Sequence, residues 1–243
     1  MNELHGKVAL VMGGSRGIGA AVARELAARG ADVAITYHSG AAPAAAVACE
    51  IKELGRRALT LRADSADPEA VTGAVDETAE LLGRLDILVS NAAVFLPGAE
   101  SIADLDRTLA VNVRGPYAAA RAAARHLGPG GRIVTIGSNV AERVPFAGLT
   151  VYALSKTALT GLTKALAREL GPRGITVNLV HPGPTDTDAN PASQPMAATM
   201  AGLTALGRYA DASEIASVVA FLAGEGSAYV TGATINADGG WAA

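Results

Sequence analysis

One cysteine in 243 residues, Cys49, leaves no intramolecular disulfide and no metal-ligand spacing, so no residue is nominated as a metal ligand. It is expected to be a small packed side chain in a reducing compartment. Aromatic residues make up only 4% of the chain against 50% hydrophobic overall, so an aromatic-filled barrel is disfavoured and close helix-on-sheet packing through Ala, Gly and Val is expected. No charge-free apolar run approaches the roughly 20 residues of a bilayer span. The opening MNELHGK has no basic stretch leading into an apolar one, so a soluble, cytoplasmic protein with no membrane partner is expected. A basic excess is missing too: 20 Lys and Arg face 23 Asp and Glu, and they are scattered. Nucleic-acid binding is thereby disfavoured.

What the chain has is alternation. Apolar, β-rich runs at Lys7–Met12, Asp32–Thr36, Ala58–Ala63, Asp86–Ser90, Arg132–Gly137, Thr176–Val180 and Thr234–Asn236 read as seven strands. Between them, helical patterns cover Ala20–Arg29, Ala44–Leu54, Pro68–Leu82, Ile102–Leu127, Tyr152–Leu170 and Ala212–Ala223. Strands apolar throughout, separated by helices, imply a parallel sheet covered on both faces. The expectation is a single α/β domain over residues 1–243, doubly wound. Residues 181–211 hold four prolines, break the rhythm and read as a long, functional loop.

After the first strand comes Gly13-Gly14-Ser15-Arg16-Gly17-Ile18-Gly19. Glycines between a strand and a helix permit a tight turn and bring a pyrophosphate against helix N-terminal amides. Folds of this kind that prefer NAD place an acid at the end of the second strand, where it binds the adenosine ribose. Here that position reads Thr36-Tyr37-His38-Ser39, with no carboxylate between Asp32 and Glu50. The missing acid admits a 2′-phosphate, and Arg16 and Ser39 can bind one. NADP(H) is therefore expected over NAD(H).

A second motif, Tyr152-Ala-Leu-Ser-Lys156, puts a phenol and an ammonium one helical turn apart. A phenol with a pKa of about 10 is a poor acid-base catalyst near neutrality unless a positive charge stabilises its phenolate. Lys156 is the candidate charge.

In order along the chain stand the glycine turn, Asp64 after the third strand, Ser90-Asn91-Ala92-Ala93 after the fourth, Asn112, Ser138, Tyr152-x-x-x-Lys156, and Pro182-Gly183 leading to Thr187. With this set the whole chain resembles the short-chain dehydrogenase/reductase family. The resemblance implies a Rossmann-type fold and a catalytic set of Asn112, Ser138, Tyr152 and Lys156. Tyr152 would give a proton to a carbonyl oxygen while nicotinamide delivers hydride. Lys156 would lower its pKa and bind the nicotinamide ribose, Ser138 would hydrogen-bond the carbonyl oxygen, and Asn112 would hold a water leading to solvent. The cofactor would also meet Tyr152 beside Lys156, and Gly13, Ser15, Arg16, Gly17, Ile18, Gly19, His38 and Ser39. Asp64 and Ser65 would meet its adenine, Asn91 with Ala92 and Ala93 the neighbouring ribose, and Pro182, Gly183, Thr185 and Thr187 the nicotinamide end.

Val94, Phe95, Leu96, Val144, Phe146 and the 188–206 stretch would line an apolar substrate pocket, suited to a neutral ketone or 3-oxoacyl compound. His181 reads as a packing residue. Small residues on the fifth and sixth helices (Ala118, Ala119, Ala122, Ala123; Ala158, Gly161, Ala165) suit helix packing across a two-fold axis, and the family implies a homotetramer with 222 symmetry or a homodimer. Met12, Ser90 and Ala93 depart from the family's usual Thr and N-N-A-G, and are expected to alter cofactor affinity or local stability modestly. The resemblance thus implies an NADPH-dependent ketoreductase, and two other readings stand beside it: a regulatory member of the family that binds cyclic-di-GMP, and an NAD-dependent alcohol dehydrogenase.

Overall fold

The computed structural model describes residues 3–243; Met1 and Asn2, which the 1–243 assignment includes, lie outside the described residues. In chain order the elements are β1 (Val8–Met12), α1 (Gly17–Ala28), β2 (Asp32–Tyr37), α2 (Ala41–Glu53), β3 (Ala58–Arg62), α3 (Pro68–Leu82), β4 (Ile87–Ser90), α4 (Ile102–Leu109), α5 (Gly115–His126) and β5 (Arg132–Ile136). Then follow α6 (Thr150–Leu170), β6 (Thr176–Pro182), β7 (Thr185–Asp186), α7 (Ala197–Gly202), β8 (Ala210–Asp211), α8 (Ala212–Ala223) and β9 (Thr234–Ala237).

Seven strands form one sheet in the order β3-β2-β1-β4-β5-β6-β9, every pairing parallel. Alternate strand residues feed two cores, as a two-residue side-chain period requires. Ala9 and Val11 of β1 pack with Val22, Leu26, Val47 and Val219 from α1, α2 and α8. Val8, Leu10 and Met12 pack on the other face with Val71, Val75 and Leu166 from α3 and α6. Both faces are thus covered, and the strand order reverses between β1 and β4. That reversal opens a crevice at the carboxyl ends of the strands, where ligands of such sheets bind.

Local chemistry sets the ends of the helices. Asp67 accepts from the Glu69 amide, Pro68 occupies the first turn of α3, and Gly83 closes it at φ 82°. Asp211 and Glu214 form a reciprocal capping box on α8.

Four expectations need correction. The helix read over Ile102–Leu127 is interrupted by a π-helical turn at Ala110–Arg114. Its cause is Pro116, which has no N–H to give the Asn112 carbonyl four residues back. Tyr152 does not open its helix; α6 begins at Thr150. Residues 181–211 are not all loop, since β6 continues to Pro182 and the stretch carries β7, α7 and β8. Cys49 is exposed, because α2 buries Ala44, Val47, Ala48 and Ile51 and turns Cys49 outward. No described helix is long and apolar enough to cross a membrane.

Candidate active site

The glycine turn is shaped by close approaches that any side chain would obstruct. A Cβ on Gly13 would fall 2.8 Å from the Ala92 Cα, and Gly13 itself sits at φ 72°. The Asn91 amide donates to the Gly13 carbonyl at 2.9 Å, so its side chain braces the turn from β4. A Cβ on Gly17 would meet the Thr187 methyl at 3.2 Å. The 181–211 stretch therefore reaches over the start of α1, next to Ile18.

Arg16 is exposed, and its guanidinium lies beside Gly40, the residue before α2. Ser15 borders the same position, and Ser39 and His38 stand exposed next to it. The first amides of α2 have no side-chain cap. Together with Arg16 they make a corner to which the 36–40 turn brings no carboxylate, Asp64 coming within 3.9 Å of His38 on the far side, and its cationic character suits the 2′-phosphate of NADP(H). Further along, Asp64 accepts from the Ala66 amide at 2.9 Å. That bond, with Arg107 at 3.4 Å, holds its carboxyl below the usual range against the opposing effect of burial. The Ser65 carbonyl faces the start of α5, where a Cβ on Gly115 would come within 2.5 Å of it.

At the ends of β5 and β6 the catalytic candidates converge. Lys156 is 2% exposed and donates from Nζ to the Ile136 carbonyl at 3.0 Å. Its ammonium lies 5.7 Å from the centre of the Tyr152 ring. Burial brings the Lys156 pKa down to about 8. Burial also pushes the Tyr152 phenol up, with the Ser138 hydroxyl pulling it back. The depression expected from Lys156 is absent in this arrangement, because the ammonium is bonded to a carbonyl and desolvation dominates.

Asn112 has no side-chain atom to spare. Its Oδ1 accepts from the Val94 amide at 2.8 Å, and its Nδ2 donates to the Val94 carbonyl and to Ser155 Oγ, both at 3.0 Å. It ties the start of the Val94–Leu96 segment to α6. Ser138 follows β5; its backbone N–H donates to Nδ1 of His181 at 2.9 Å, and its hydroxyl lies 3.2 Å from Asn139 Oδ1.

The pocket candidates are open, and one of them touches this group. Phe95 is 51% exposed and meets the Tyr152 ring edge-on, with centroids 4.9 Å apart. Val144 and Phe146 are exposed, as are Met196 and Leu206 of the 181–211 stretch. Thr185 is buried and donates to the Gly183 carbonyl at 2.9 Å, and Gly183 passes so close to Asp238 that a Cβ would clash at 2.6 Å.

A family profile described as Enoyl-(Acyl carrier protein) reductase matches residues 13–242. A short chain dehydrogenase from Burkholderia cenocepacia, solved in complex with NADP, is 55% identical over 100% of both chains with a TM-score of 0.98. The chain belongs to the short-chain dehydrogenase/reductase family. A second member, from Serratia marcescens, is 53% identical over 99% of this chain and 100% of its own, again at a TM-score of 0.98. The cyclic-di-GMP-binding biofilm dispersal mediator protein of Escherichia coli is 44% identical, with 100% of each chain covered.

Within this short-chain dehydrogenase/reductase the departures have local consequences. Met12 brings no hydroxyl, and Thr36 of β2 takes over: its Oγ1 accepts from the Gly13 amide at 2.9 Å. Ser90 Oγ, paired in register with Met12, is buried with no partner among the described residues, beside a small void bounded by Met12, Ala92 and Val111. Ala93 is exposed. Two contacts escaped sequence reasoning: the Arg107–Asp64 pair and the His181–Ser138 bond. Each joins residues 43 apart, and no local pattern marks them.

Proposed function

We propose that this chain is an NADPH-dependent ketoreductase that reduces the carbonyl of a largely apolar ketone or 3-oxoacyl-type compound to an alcohol. The observation that carries this is the meeting of Tyr152, Ser138 and Lys156 at the ends of β5 and β6, in the crevice that the glycine turn opens. The NADP of the Burkholderia relative supports the cofactor, as do Arg16 beside Gly40 and the absence of a carboxylate between Asp32 and Glu50.

Bound NADPH supplies hydride to the carbonyl carbon. The residues provide the rest. Tyr152 donates its proton to the carbonyl oxygen, and its raised pKa keeps it protonated until negative charge develops there. Ser138 gives that oxygen a hydrogen bond as the charge grows. Lys156 carries the balancing positive charge below the cleft and binds the nicotinamide ribose. Asn112, its side chain committed to Val94 and Ser155, would hold the water that returns a proton through its main-chain carbonyl, to which Pro116 four residues on has no N–H to give. Phe95, Val144 and Phe146 carry no charge and favour a neutral substrate.

A homotetramer with 222 symmetry, or a homodimer, fits the surface of α6. Ala158, Gly161 and Ala165 are exposed there along one side, near exposed Leu154. On α5, by contrast, Ala119, Ala122 and Ala123 are already buried within the chain.

One other reading has an observation behind it: the E. coli relative named for cyclic-di-GMP binding matches over the whole chain. NADPH oxidation against a panel of ketones, acetoacetyl thioesters and quinones, run beside calorimetric titration of cyclic-di-GMP, separates the two. Turnover of at least one carbonyl is expected. No turnover together with micromolar cyclic dinucleotide binding would overturn the ketoreductase reading.

A further inference from the structure

His181 is fully buried at the end of β6, and its imidazole lies over Gly137, where a Cβ would fall 2.1 Å from Nδ1. The β5–β6 ladder ends here: Gly137 N–H donates to the Val180 carbonyl at 2.7 Å, and the next amide, Ser138 N–H, finds the imidazole instead. A backbone N–H can only donate, so Nδ1 must present a lone pair and the ring proton must sit on Nε2. Nε2 has no hydrogen-bond partner among the described residues, and the nearest carboxylate, Glu142 Oε1, is 3.7 Å away.

Three titratable groups bear on the ring. Lys156 opposes a charge on it, Asp238 favours one, and Glu142 stands at the Nε2 side. Burial dominates and brings the His181 pKa down to about 4, so the ring is neutral across the working pH range.

A buried, neutral histidine is a costly way to fill space unless its ring nitrogens are used, and Nδ1 is. We infer that His181 is a positioning residue for Ser138: its lone pair fixes the Ser138 backbone where β5 leaves the sheet, and with it the direction of the Ser138 hydroxyl beside Tyr152. The inference rests on the reading of Ser138 and Tyr152 as carbonyl-facing groups. It predicts that His181 affects the chemical step through Ser138 alone and leaves cofactor binding untouched.

The test compares His181→Leu, which removes the acceptor, with His181→Asn, whose Oδ1 can stand near the place of Nδ1. His181→Leu should lower kcat on the order of 10–100-fold, the scale of a misplaced reacting group, with the NADPH dissociation constant unchanged. His181→Asn should recover most of that loss. In a Ser138→Ala background, His181→Leu should cost nothing further, since both changes remove one interaction.

Additive losses, or an Asn variant as poor as the Leu variant, would overturn the inference. If His181→Leu fails to fold, His181→Asn against His181→Gln decides, because the longer amide cannot place its oxygen at Nδ1; equal kcat values overturn it. Amide hydrogen exchange at Ser138 gives a readout independent of turnover. Protection should persist in wild type and His181→Asn and be lost in His181→Gln; unchanged protection in both variants would sink the inference. If wild type reduces no carbonyl while this exchange pattern holds, the functional reading has failed and the positional role stands.

Discussion

Asn112, Lys156 and His181 at the floor of the cleft are no more than 2% exposed, and each is hydrogen-bonded to the backbone of another segment. The substrate-pocket candidates Phe95, Val144 and Leu206, proposed as its mouth, are at least half exposed, and of these the Phe95 ring packs on Tyr152. The floor is over-determined: each of these three side chains is bound to a carbonyl or amide it cannot leave without exposing a buried partner. The mouth has little to lose by changing. Chemistry is thus assigned to the part of the molecule that tolerates least, and choice of substrate to the part that tolerates most.

The sharpest way to break this contrast is at the floor. Tyr152→Phe should lower kcat on the order of 10³-fold, as expected for losing a positioned proton donor, with the NADPH dissociation constant unchanged by titration. A loss of cofactor binding of similar size would mean that Tyr152 holds the cofactor rather than the reaction.

Lys156 offers a second test with the opposite sign for stability. Its pKa is about 8 in the folded chain against 10.5 for the free side chain, so the fold disfavours its charged form. That cost is present in full below pH 8 and disappears as pH rises towards 10.5, because the unfolded chain binds the extra proton in that window. Lys156→Met should therefore stabilise the ligand-free protein at pH 7 by up to about 3 kcal/mol, less the lost bond to Ile136, while abolishing turnover. Melting temperatures at pH 7 and pH 10 should differ between the two proteins mainly at pH 7. A variant less stable than wild type at both would contradict the account.

The cofactor corner is exposed like the mouth but its contact is charged, so its effect should be intermediate. Arg16→Ala should raise the NADPH dissociation constant roughly 10–100-fold, the worth of a charge-assisted contact, and leave NADH within about threefold. Equal weakening of both would refute the phosphate assignment. At the mouth, Phe146→Ala should change KM for an apolar ketone only about three- to tenfold, from lost apolar contact, with kcat nearly intact. A collapse of kcat there would erase the distinction between the two regions.

How much of this was legible in the chain depends on how far apart the cooperating residues lie. The Tyr152–Lys156 spacing, the Gly13–Gly19 turn and the missing acid after β2 are local, and the family resemblance and NADP(H) preference follow from them. The π turn at Ala110–Arg114 lies inside an unbroken helical pattern, with Pro116 its one signal. Cys49 could have been placed from the period of Ala44, Val47, Ala48 and Ile51, which puts it off the buried stripe of α2. The Thr36 hydroxyl that compensates Met12 comes from the neighbouring strand, and His181 reaches Ser138 from 43 residues away. Those partnerships exist only once the sheet order brings β2 beside β1 and β6 beside β5.

The central claim is that Tyr152 and Ser138 serve a carbonyl reduced by hydride. Its most direct test is a reaction of wild type and Tyr152→Phe with NADPH deuterated on the transferred position of its nicotinamide, using a ketone found to turn over, with the alcohol analysed by mass spectrometry. Wild type should place one deuterium on the carbinol carbon, and Tyr152→Phe should form almost no alcohol while still binding the cofactor. Alcohol without deuterium, or a Tyr152→Phe variant that turns over at the wild-type rate, would contradict the account.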